Sequence, residues 1–115
     1  MKKYIHCIGI GGIGVSALAK YYLAKGYDVS GCDLVRSEIT DQLKAMGAKV
    51  RIGLPQEFCV PAGVEKIIYS PAIPQSNPEL LKTKNYKLKT LSYPEALGEL
   101  TKIYETIAVS GTHGK

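Results

Sequence analysis

The sequence predicts an α/β fold: a doubly wound parallel β-sheet with helices on both of its faces. Along the chain, apolar residues alternate between a period of two, typical of strands, and a period near 3.6, typical of helices. A glycine-rich motif, Gly9–Gly14, separates the first predicted strand from the first predicted helix. Because crossovers between parallel strands are right-handed, such alternating units place helices against a parallel sheet.

The period-two segments mark the strands, and they recur at regular intervals. The predicted strands are Tyr4–Ile10, Tyr27–Cys32, Lys49–Ile52, Lys66–Tyr69, Lys87–Leu91 and Thr106–Ser110. In such a sheet ligands bind beyond the carboxyl ends of the strands, where the strand order reverses. We therefore expect the loops after the first and fourth strands to face each other across a crevice.

The segments between the strands carry helix signals. The first helix has an apolar face that ends before Gly26. Candidate N-caps of the later helices are Ser37, then Ser76 or Asn77, and finally Ser92. Glu79 would complete a capping box with Ser76, and Glu95 would do the same with Ser92.

The composition excludes several classes of protein. A chain of 115 residues with 45% hydrophobic and 22% charged residues is composed like one soluble globular domain rather than a disordered tail. The net charge of +5 favours anionic ligands but is diffuse. There is no tryptophan, and Phe58 is the only phenylalanine, so the stacking surfaces of many single-strand nucleic-acid binders are weakly represented. We expect no nucleic-acid partner.

Location and metal binding are predicted from the cysteines and the apolar runs. Cys7, Cys32 and Cys59 show no CxxC spacing, which favours reduced thiols in the cytoplasm. No apolar stretch approaches the length of a membrane span, so we expect no membrane partner. His6 lies within the first strand, where we expect it only to pack, and it forms no recognisable metal spacing with the cysteines.

The glycine motif reads G-x-G-x-x-G at the start of an amphipathic helix, where the pattern is typical of Rossmann-like nucleotide-binding domains. Gly9 would permit the tight turn, Gly11 would let a diphosphate approach the backbone, and Gly14 would let helix and strand pack closely. The free amides at the helix start favour an anion. A glycine-rich turn without a ligand is the alternative.

Two further positions extend this candidate site. Asp33 ends the second strand, 19 residues beyond Gly14, where a carboxylate can accept hydrogen bonds from ribose hydroxyls. A plain turn aspartate is the alternative there. Ser70 ends the fourth strand and could reach a ligand held on the glycine loop, although a bare proline turn is equally compatible with the sequence.

The chain ends in a second candidate phosphate loop. It reads Gly111-Thr112-His113-Gly114-Lys115 and follows the last predicted strand. The Gly-Lys pair is the core of a phosphate-binding loop, but Val109 stands where a full Walker A motif has glycine. Ending inside such a loop suggests that the chain is a piece of a longer protein.

Together these motifs resemble the N-terminal part of the Mur ligases. The matching segments, in order, are His6–Ser16, Ser30–Asp33, Tyr69–Pro74, Asn77–Glu79 and Ser110–Lys115. The Gly-Thr-His-Gly-Lys run is shared across the family. The Gly-Ile-Gly-Gly-Ile-Gly opening is typical of the member that adds L-alanine to UDP-N-acetylmuramate in peptidoglycan synthesis, and the member that recycles a murein tripeptide is the nearest alternative.

The resemblance implies a domain division and a role for each motif. Residues 1–105 would be a UDP-sugar-binding Rossmann-like domain, and residues 106–115 would be the first strand and truncated phosphate loop of a central ATPase domain. The UDP-sugar would be bound by Gly9, Gly11, Gly12, Ile13, Gly14, Asp33, Ser70, Ala72 and Ile73. ATP would be bound by Gly111, Thr112, His113, Gly114 and Lys115.

The resemblance also implies the chemistry of a complete protein. ATP, with Mg²⁺, would phosphorylate the muramoyl carboxylate, and the amine of L-alanine would attack the acyl phosphate. This chain alone would contain no catalytic residue. The family often has an arginine near the start of the last helix, where this chain has Ser92–Glu95. An NAD(P)-binding module would use the same glycine loop and Asp33, and it stays open as an alternative.

Overall fold

The computed structural model describes residues 3–53, 63–85 and 88–111. The elements alternate as the sequence predicts. They are β1 (Tyr4–Ile8), α1 (Ile13–Ala24), β2 (Asp28–Asp33), α2 (Glu38–Ala45), β3 (Lys49–Ile52), β4 (Lys66–Tyr69), α3 (Pro78–Asn85), β5 (Thr90–Ser92) and α4 (Tyr93–Gly111). In this part of the chain, no helix is both long enough and apolar enough to cross a membrane.

The five strands form one sheet in the order β3-β2-β1-β4-β5, and every pairing is parallel. The chain builds outward from β1 to β3 and then returns to the other side of β1 with β4, so the strand order reverses between β1 and β4. Ile8, the last residue of β1, lies in register with Cys32 on one side and Tyr69 on the other. The predicted doubly wound parallel sheet is confirmed.

Helices cover both faces of the sheet. On one face, Cys7 packs in a core cluster with Leu18 of α1, Leu43 of α2 and Ala96 of α4. On the other face, Ile8 and Ile67 pack with Leu80 of α3. The two clusters follow the alternation of side chains along each strand, which sends neighbouring residues to opposite faces. Helices on both faces are thus confirmed as well.

The sequence predicted one N-cap for α2 and two alternatives, Ser76 or Asn77, for α3. The Ser37 hydroxyl accepts a hydrogen bond from the Thr40 N–H at 3.2 Å, so Ser37 is the predicted cap. At α3 the cap is Asn77, whose Oδ1 accepts from the Glu79 N–H at 2.9 Å. The predicted capping box between Ser76 and Glu79 is wrong, because the Glu79 side chain is buried against the sheet instead.

The last helix begins as predicted. The Ser92 N–H donates to Glu95 Oε1 at 2.9 Å, and the Glu95 N–H donates back to the Ser92 hydroxyl at 3.4 Å. This reciprocal pair is the predicted capping box, and it satisfies amides that the first turn leaves without helical partners. It also fixes Tyr93 at the point where β5 passes into α4.

The predicted strand Thr106–Ser110 is wrong, because the structure continues α4 to Gly111. The run holds neither glycine nor proline between Glu99 and Ser110, so nothing in it ends the helix. A short apolar run does not distinguish strand from buried helix by periodicity. A helix also satisfies its backbone hydrogen bonds locally, whereas a strand needs a neighbour. The assignment of 106–115 to a second domain stays a prediction.

The remaining strand boundaries shift only slightly. The first strand ends at Ile8 rather than Ile10, because Gly9 turns the chain with a φ of 77°. The fifth covers Thr90–Ser92 instead of Lys87–Leu91, and Lys87 lies outside the described residues. These differences leave the sheet order unchanged.

Candidate nucleotide-binding site

The loop after β1 is a tight turn held by main-chain hydrogen bonds. Gly9 has a φ of 77°, a conformation that favours glycine. The Gly9 and Ile10 N–H groups both donate to the Cys32 carbonyl, at 2.9 and 3.0 Å, and the Gly12 N–H donates to the Gly9 carbonyl at 3.0 Å. The tight turn predicted at Gly9 is confirmed, and it rests on the end of β2.

Asp33 contacts this loop directly. Its Oδ2 accepts a hydrogen bond from the Gly11 N–H at 2.8 Å, and its Oδ1 accepts from the Val35 N–H at 3.3 Å. A Cβ at position 11 would lie 2.8 Å from the same Oδ2, so the approach requires glycine. The carboxylate therefore holds the loop, and the Gly11 amide is engaged within the chain.

The N-terminus of α1 is open where the glycine loop ends. Gly12 is the N-cap and gives no side-chain cap, and the first turn contains no acidic residue. The helical ladder starts with the Ser16 N–H donating to the Gly12 carbonyl at 2.8 Å. Among the described residues, the N–H groups of Ile13 and Gly14 have no hydrogen-bond partner. Such free amides, with the helix dipole, attract an anion.

The loop after β4 faces the glycine loop, as predicted. A Cβ built on Gly9 would lie 3.1 Å from the Ser70 Cβ and 3.2 Å from the Ile73 side chain. The Ser70 hydroxyl accepts a hydrogen bond from the Ala72 N–H at 3.2 Å, which shapes the turn. Ser70 and Ile73 thus lie against the turn at Gly9, and Ser70 also lies close to Gly12.

Gly14 packs closely against a residue that the sequence did not identify. A Cβ at this position would lie 2.7 Å from the Tyr93 ring, at the start of α4. No local pattern signals that neighbour, and the close approach of helix and strand at Gly14 stays a prediction. Gly14 therefore leaves room for a ring beside the open helix end.

Gly31 of β2 lies directly against the loop after β1, and the sequence alone did not identify this contact. A Cβ on Gly31 would lie 2.5 Å from the Ile10 side chain and 2.7 Å from the Cys7 carbonyl. Gly31 lies in the middle of β2, where glycine often marks a close approach of another segment. The signal was therefore present, but only the fold identifies Ile10 as the neighbour.

On the face covered by α3, the structure brings together residues that the sequence scatters. His6 Nδ1 lies 2.7 Å from the Ser30 hydroxyl, and His6 Nε2 lies 3.0 Å from Glu79 Oε2. The Cys32 thiol donates to Glu79 Oε1. His6 was expected only to pack; it is buried as expected, and it is also hydrogen-bonded. The spacing between residues 6, 32 and 79 carried no signal, because the contact depends on sheet topology.

The residues predicted for ATP lie at the end of the chain. Gly111 is the last residue of α4, and Thr112, His113, Gly114 and Lys115 lie outside the described residues. Their assignment to a phosphate loop stays a prediction from the sequence.

The parallel sheet, the reversal of strand order and the glycine loop at that reversal define the class: a Rossmann-like α/β domain. A family model described as "Mur ligase family, catalytic domain" matches residues 4–105. The chain belongs to the Mur ligase family.

The relatives and structural neighbours agree with this membership. The chain is 46% identical over 114 residues to UDP-N-acetylmuramate–L-alanine ligase of Clostridium kluyveri, covering 98% of this chain and 25% of the relative. The crystal structure of UDP-N-acetylmuramate-alanine ligase from Thermotoga maritima has a TM-score of 0.77 at 27% identity, covering 86% of this chain and 23% of the other.

A second structural neighbour is UDP-N-acetylmuramate:L-alanyl-gamma-D-glutamyl-meso-diaminopimelate ligase from Neisseria meningitides. It has a TM-score of 0.72 at 29% identity and covers 86% of this chain and 31% of the other. The chain spans about a quarter of the length of the curated relatives it matches.

Proposed function

We propose that this chain is the UDP-N-acetylmuramate-binding domain of an ATP-dependent ligase that joins L-alanine to UDP-N-acetylmuramate. The single observation that carries the site is the open N-terminus of α1, where the Ile13 and Gly14 N–H groups have no partner among the described residues. The name of the Clostridium kluyveri relative supports the choice of substrate.

The diphosphate would bind at the start of α1. The Gly11 N–H is held by Asp33 and the Gly12 N–H by Gly9, and we assign the open amides of Ile13 and Gly14 to the phosphate oxygens. Gly11 and Gly12 would contribute by lacking side chains, which lets the diphosphate approach the backbone. Gly9 would shape the turn.

The nucleoside would lie between the loops after β2 and β4. The Asp33 carboxylate is only half-buried, and it accepts two hydrogen bonds, from the Gly11 and Val35 N–H groups. Its two oxygens have lone pairs for more than two such bonds. The remaining capacity suits a ribose hydroxyl. On the opposite side, the exposed Ala72 and the half-buried Ser70 and Ile73 would contact the rest of the nucleotide.

In the complete protein, ATP with Mg²⁺ would activate the muramoyl carboxylate as an acyl phosphate. The L-alanine amine would then displace the phosphate and form the amide bond. Lys115 and the other residues of the Gly111–Lys115 run would contact ATP phosphates, as the family resemblance implies. Within this chain we assign binding and no catalytic residue, and we expect the complete protein to act in the cytoplasm.

Calorimetry with UDP-N-acetylmuramate, UDP and NAD, each added separately to the purified chain, tests the proposal. We expect the two uridine compounds to bind and NAD to give no signal. Amide NMR locates the binding site. The Ile13 and Gly14 signals should shift on titration with UDP-N-acetylmuramate, whereas the signal of Gly26, beyond the opposite end of α1, should not. Tight NAD binding with a silent UDP-sugar would instead identify a dinucleotide module.

A ligase that joins the murein tripeptide to UDP-N-acetylmuramate is a second candidate, because the Neisseria neighbour, of similar TM-score, is named for that tripeptide. Its name also begins with UDP-N-acetylmuramate, so both candidates require the same UDP-sugar site in this domain. The complete protein distinguishes them: L-alanine and the murein tripeptide would each be supplied with ATP and UDP-N-acetylmuramate, and phosphate release would be measured. We expect release with L-alanine and none above background with the tripeptide.

A further inference from the structure

We propose that His6, Cys32 and Glu79 form a binding site for Zn²⁺ or a chemically similar divalent cation. The site lies between the sheet and α3 and uses the side chain of Cys32, whose carbonyl accepts from the Gly9 and Ile10 amides of the glycine loop. The proposal does not depend on which nucleotide binds at that loop. Each side chain comes from a different element: β1, β2 and α3 respectively.

The geometry brings three potential ligand atoms together. One imidazole nitrogen, the thiol sulfur and one carboxylate oxygen all lie within 4.8 Å of one another. Ligands bound to tetrahedral Zn²⁺ at about 2.0–2.3 Å lie roughly 3.3–3.8 Å apart, so small side-chain rotations would suffice. Two of the ligands lie on neighbouring strands of the sheet, which is a rigid support for a metal site.

The ligand types select the metal. Imidazole, thiolate and carboxylate are the groups that bind Zn²⁺, whereas Mg²⁺ prefers oxygen ligands and keeps several waters. Three protein ligands leave a fourth position for water or another donor. The cation at this site would therefore be different from any Mg²⁺ that accompanies ATP.

The surroundings already orient the histidine. Ser30 Oγ lies 2.7 Å from His6 Nδ1, so the ring directs Nε2 at Glu79. Metal-bound histidines commonly have such a partner on the other ring nitrogen. On binding, Nε2 would coordinate through its lone pair, the ring proton would reside on Nδ1 and donate to Ser30, and the Cys32 thiol would release its proton to solvent.

Charge balance supports a cation at this position. The Glu79 side chain lies in the interior with 1% of its surface exposed, beside His6 at 2% and Cys32 at 8%. A carboxylate in such surroundings is costly unless positive charge or hydrogen bonds compensate it. One divalent cation with the Glu79 carboxylate and the Cys32 thiolate gives a neutral centre. The bound cation would replace the hydrogen bonds that Glu79 accepts from His6 and Cys32.

Titration of the chelator-treated chain with Co²⁺ tests the site, because a cobalt–thiolate bond gives an intense near-ultraviolet absorption. We expect this band to saturate at one Co²⁺ per chain and to disappear when Zn²⁺ is added. Zn²⁺ should also raise the melting temperature. Absence of the band in the unaltered chain would overturn the proposal.

Variants identify the thiol. The double variant Cys7→Ala/Cys59→Ser retains only Cys32 and should keep the band, whereas Cys32→Ser should lose it. Ser30→Ala retains every ligand and should weaken Co²⁺ binding about 10-fold. If Cys32→Ser does not fold, the double variant decides: loss of the band in that variant, with folding shown by circular dichroism, would refute the assignment.

Discussion

The Asp33 carboxylate and the Gly11 N–H are joined by a 2.8 Å hydrogen bond, which ties the end of β2 to the loop after β1. An acidic side chain thus lies beside a loop that we propose binds an anion. The two roles are compatible, because the carboxylate holds the middle of the loop and leaves the amides of Ile13 and Gly14 open. The Gly11 amide therefore supports the loop, and the amides of Ile13 and Gly14 are the proposed ligand contacts.

Replacing Asp33 with alanine should loosen the loop. The variant loses an acceptor for the Gly11 N–H, and hydrogen bonds to charged groups contribute about 1.5–3 kcal/mol, with partial exposure favouring the lower end. Asp33→Asn is the matched control, because its amide oxygen can still accept from Gly11. Urea unfolding should rank the unaltered chain and the asparagine variant above the alanine variant; equal stability of all three would contradict this role.

Gly14→Ala should introduce a clash with Tyr93. The new Cβ would lie 2.7 Å from the ring, and overpacking of this kind costs about 1–3 kcal/mol. UDP-N-acetylmuramate should also bind more weakly, since Tyr93 or the start of α1 must move. Gly98→Ala is the control. Its new Cβ would meet no atom within 4 Å beyond the adjacent backbone of α4, so the change should stabilise the helix by about 0.5–1 kcal/mol.

A double variant separates the steric explanation from other effects of an alanine at position 14. Gly14→Ala combined with Tyr93→Ala removes the ring that the new methyl group meets. The penalty for Gly14→Ala should therefore be smaller in the Tyr93→Ala background. An unchanged penalty would show that the ring is not its cause.

Glu99 should make stability depend on pH in the acid range. Hydrogen bonds from Lys89 and then from Lys66, at 3.0 and 3.3 Å, hold the pKa of Glu99 below its ordinary value, although burial acts in the opposite direction. A depressed pKa in the folded state gives stabilisation that is present above the unfolded pKa and is lost as pH falls through the folded one.

The test compares Glu99→Gln with the unaltered chain at several pH values. At neutral pH the unaltered chain should be more stable by about 0.2–1 kcal/mol, as expected of solvent-accessible ion pairs. The difference should vanish in acid and shrink in high salt. A difference that persists unchanged in acid would exclude the ion pairs as its source.

The Cys7 thiol should be inert in the folded protein. Burial raises the pKa of Cys7 to about 12, so almost no thiolate exists near neutral pH. In a Cys32→Ser/Cys59→Ser variant, a thiol reagent should label the remaining cysteine only as fast as the chain unfolds, and fully in denaturant. Rapid labelling under native conditions would mean that Cys7 is not buried as described.

The fold was predictable because it rests on patterns local in the sequence. The change between the two periods located the strands, and caps such as Ser37 and Ser92 located helix starts. The failure at Thr106–Ser110 has the same origin, because a short apolar run fits either element and only its backbone partners decide. The predicted capping box between Ser76 and Glu79 was wrong for a different reason. The Glu79 side chain is buried beside His6, which the local pattern does not indicate.

The site was predictable in part. The turn at Gly9 and the approach of Ser70 follow from a glycine motif at a reversal of strand order. The neighbours of Gly14 and Gly31 did not follow, since Tyr93 and Ile10 reach them only through packing of separate elements. The interaction between Asp33 and Gly11 was also hidden, because the sequence identifies an acceptor without identifying its donor.

The contact between Gly31 and Ile10 has a consequence for how the domain tolerates change. Gly31 lies within the sheet, and its missing side chain makes room for Ile10 of the loop after β1. Even one methyl group there would lift Ile10, and the turn with it. A substitution at Gly31, within the sheet, would thus change the position of the loop that we propose binds the diphosphate.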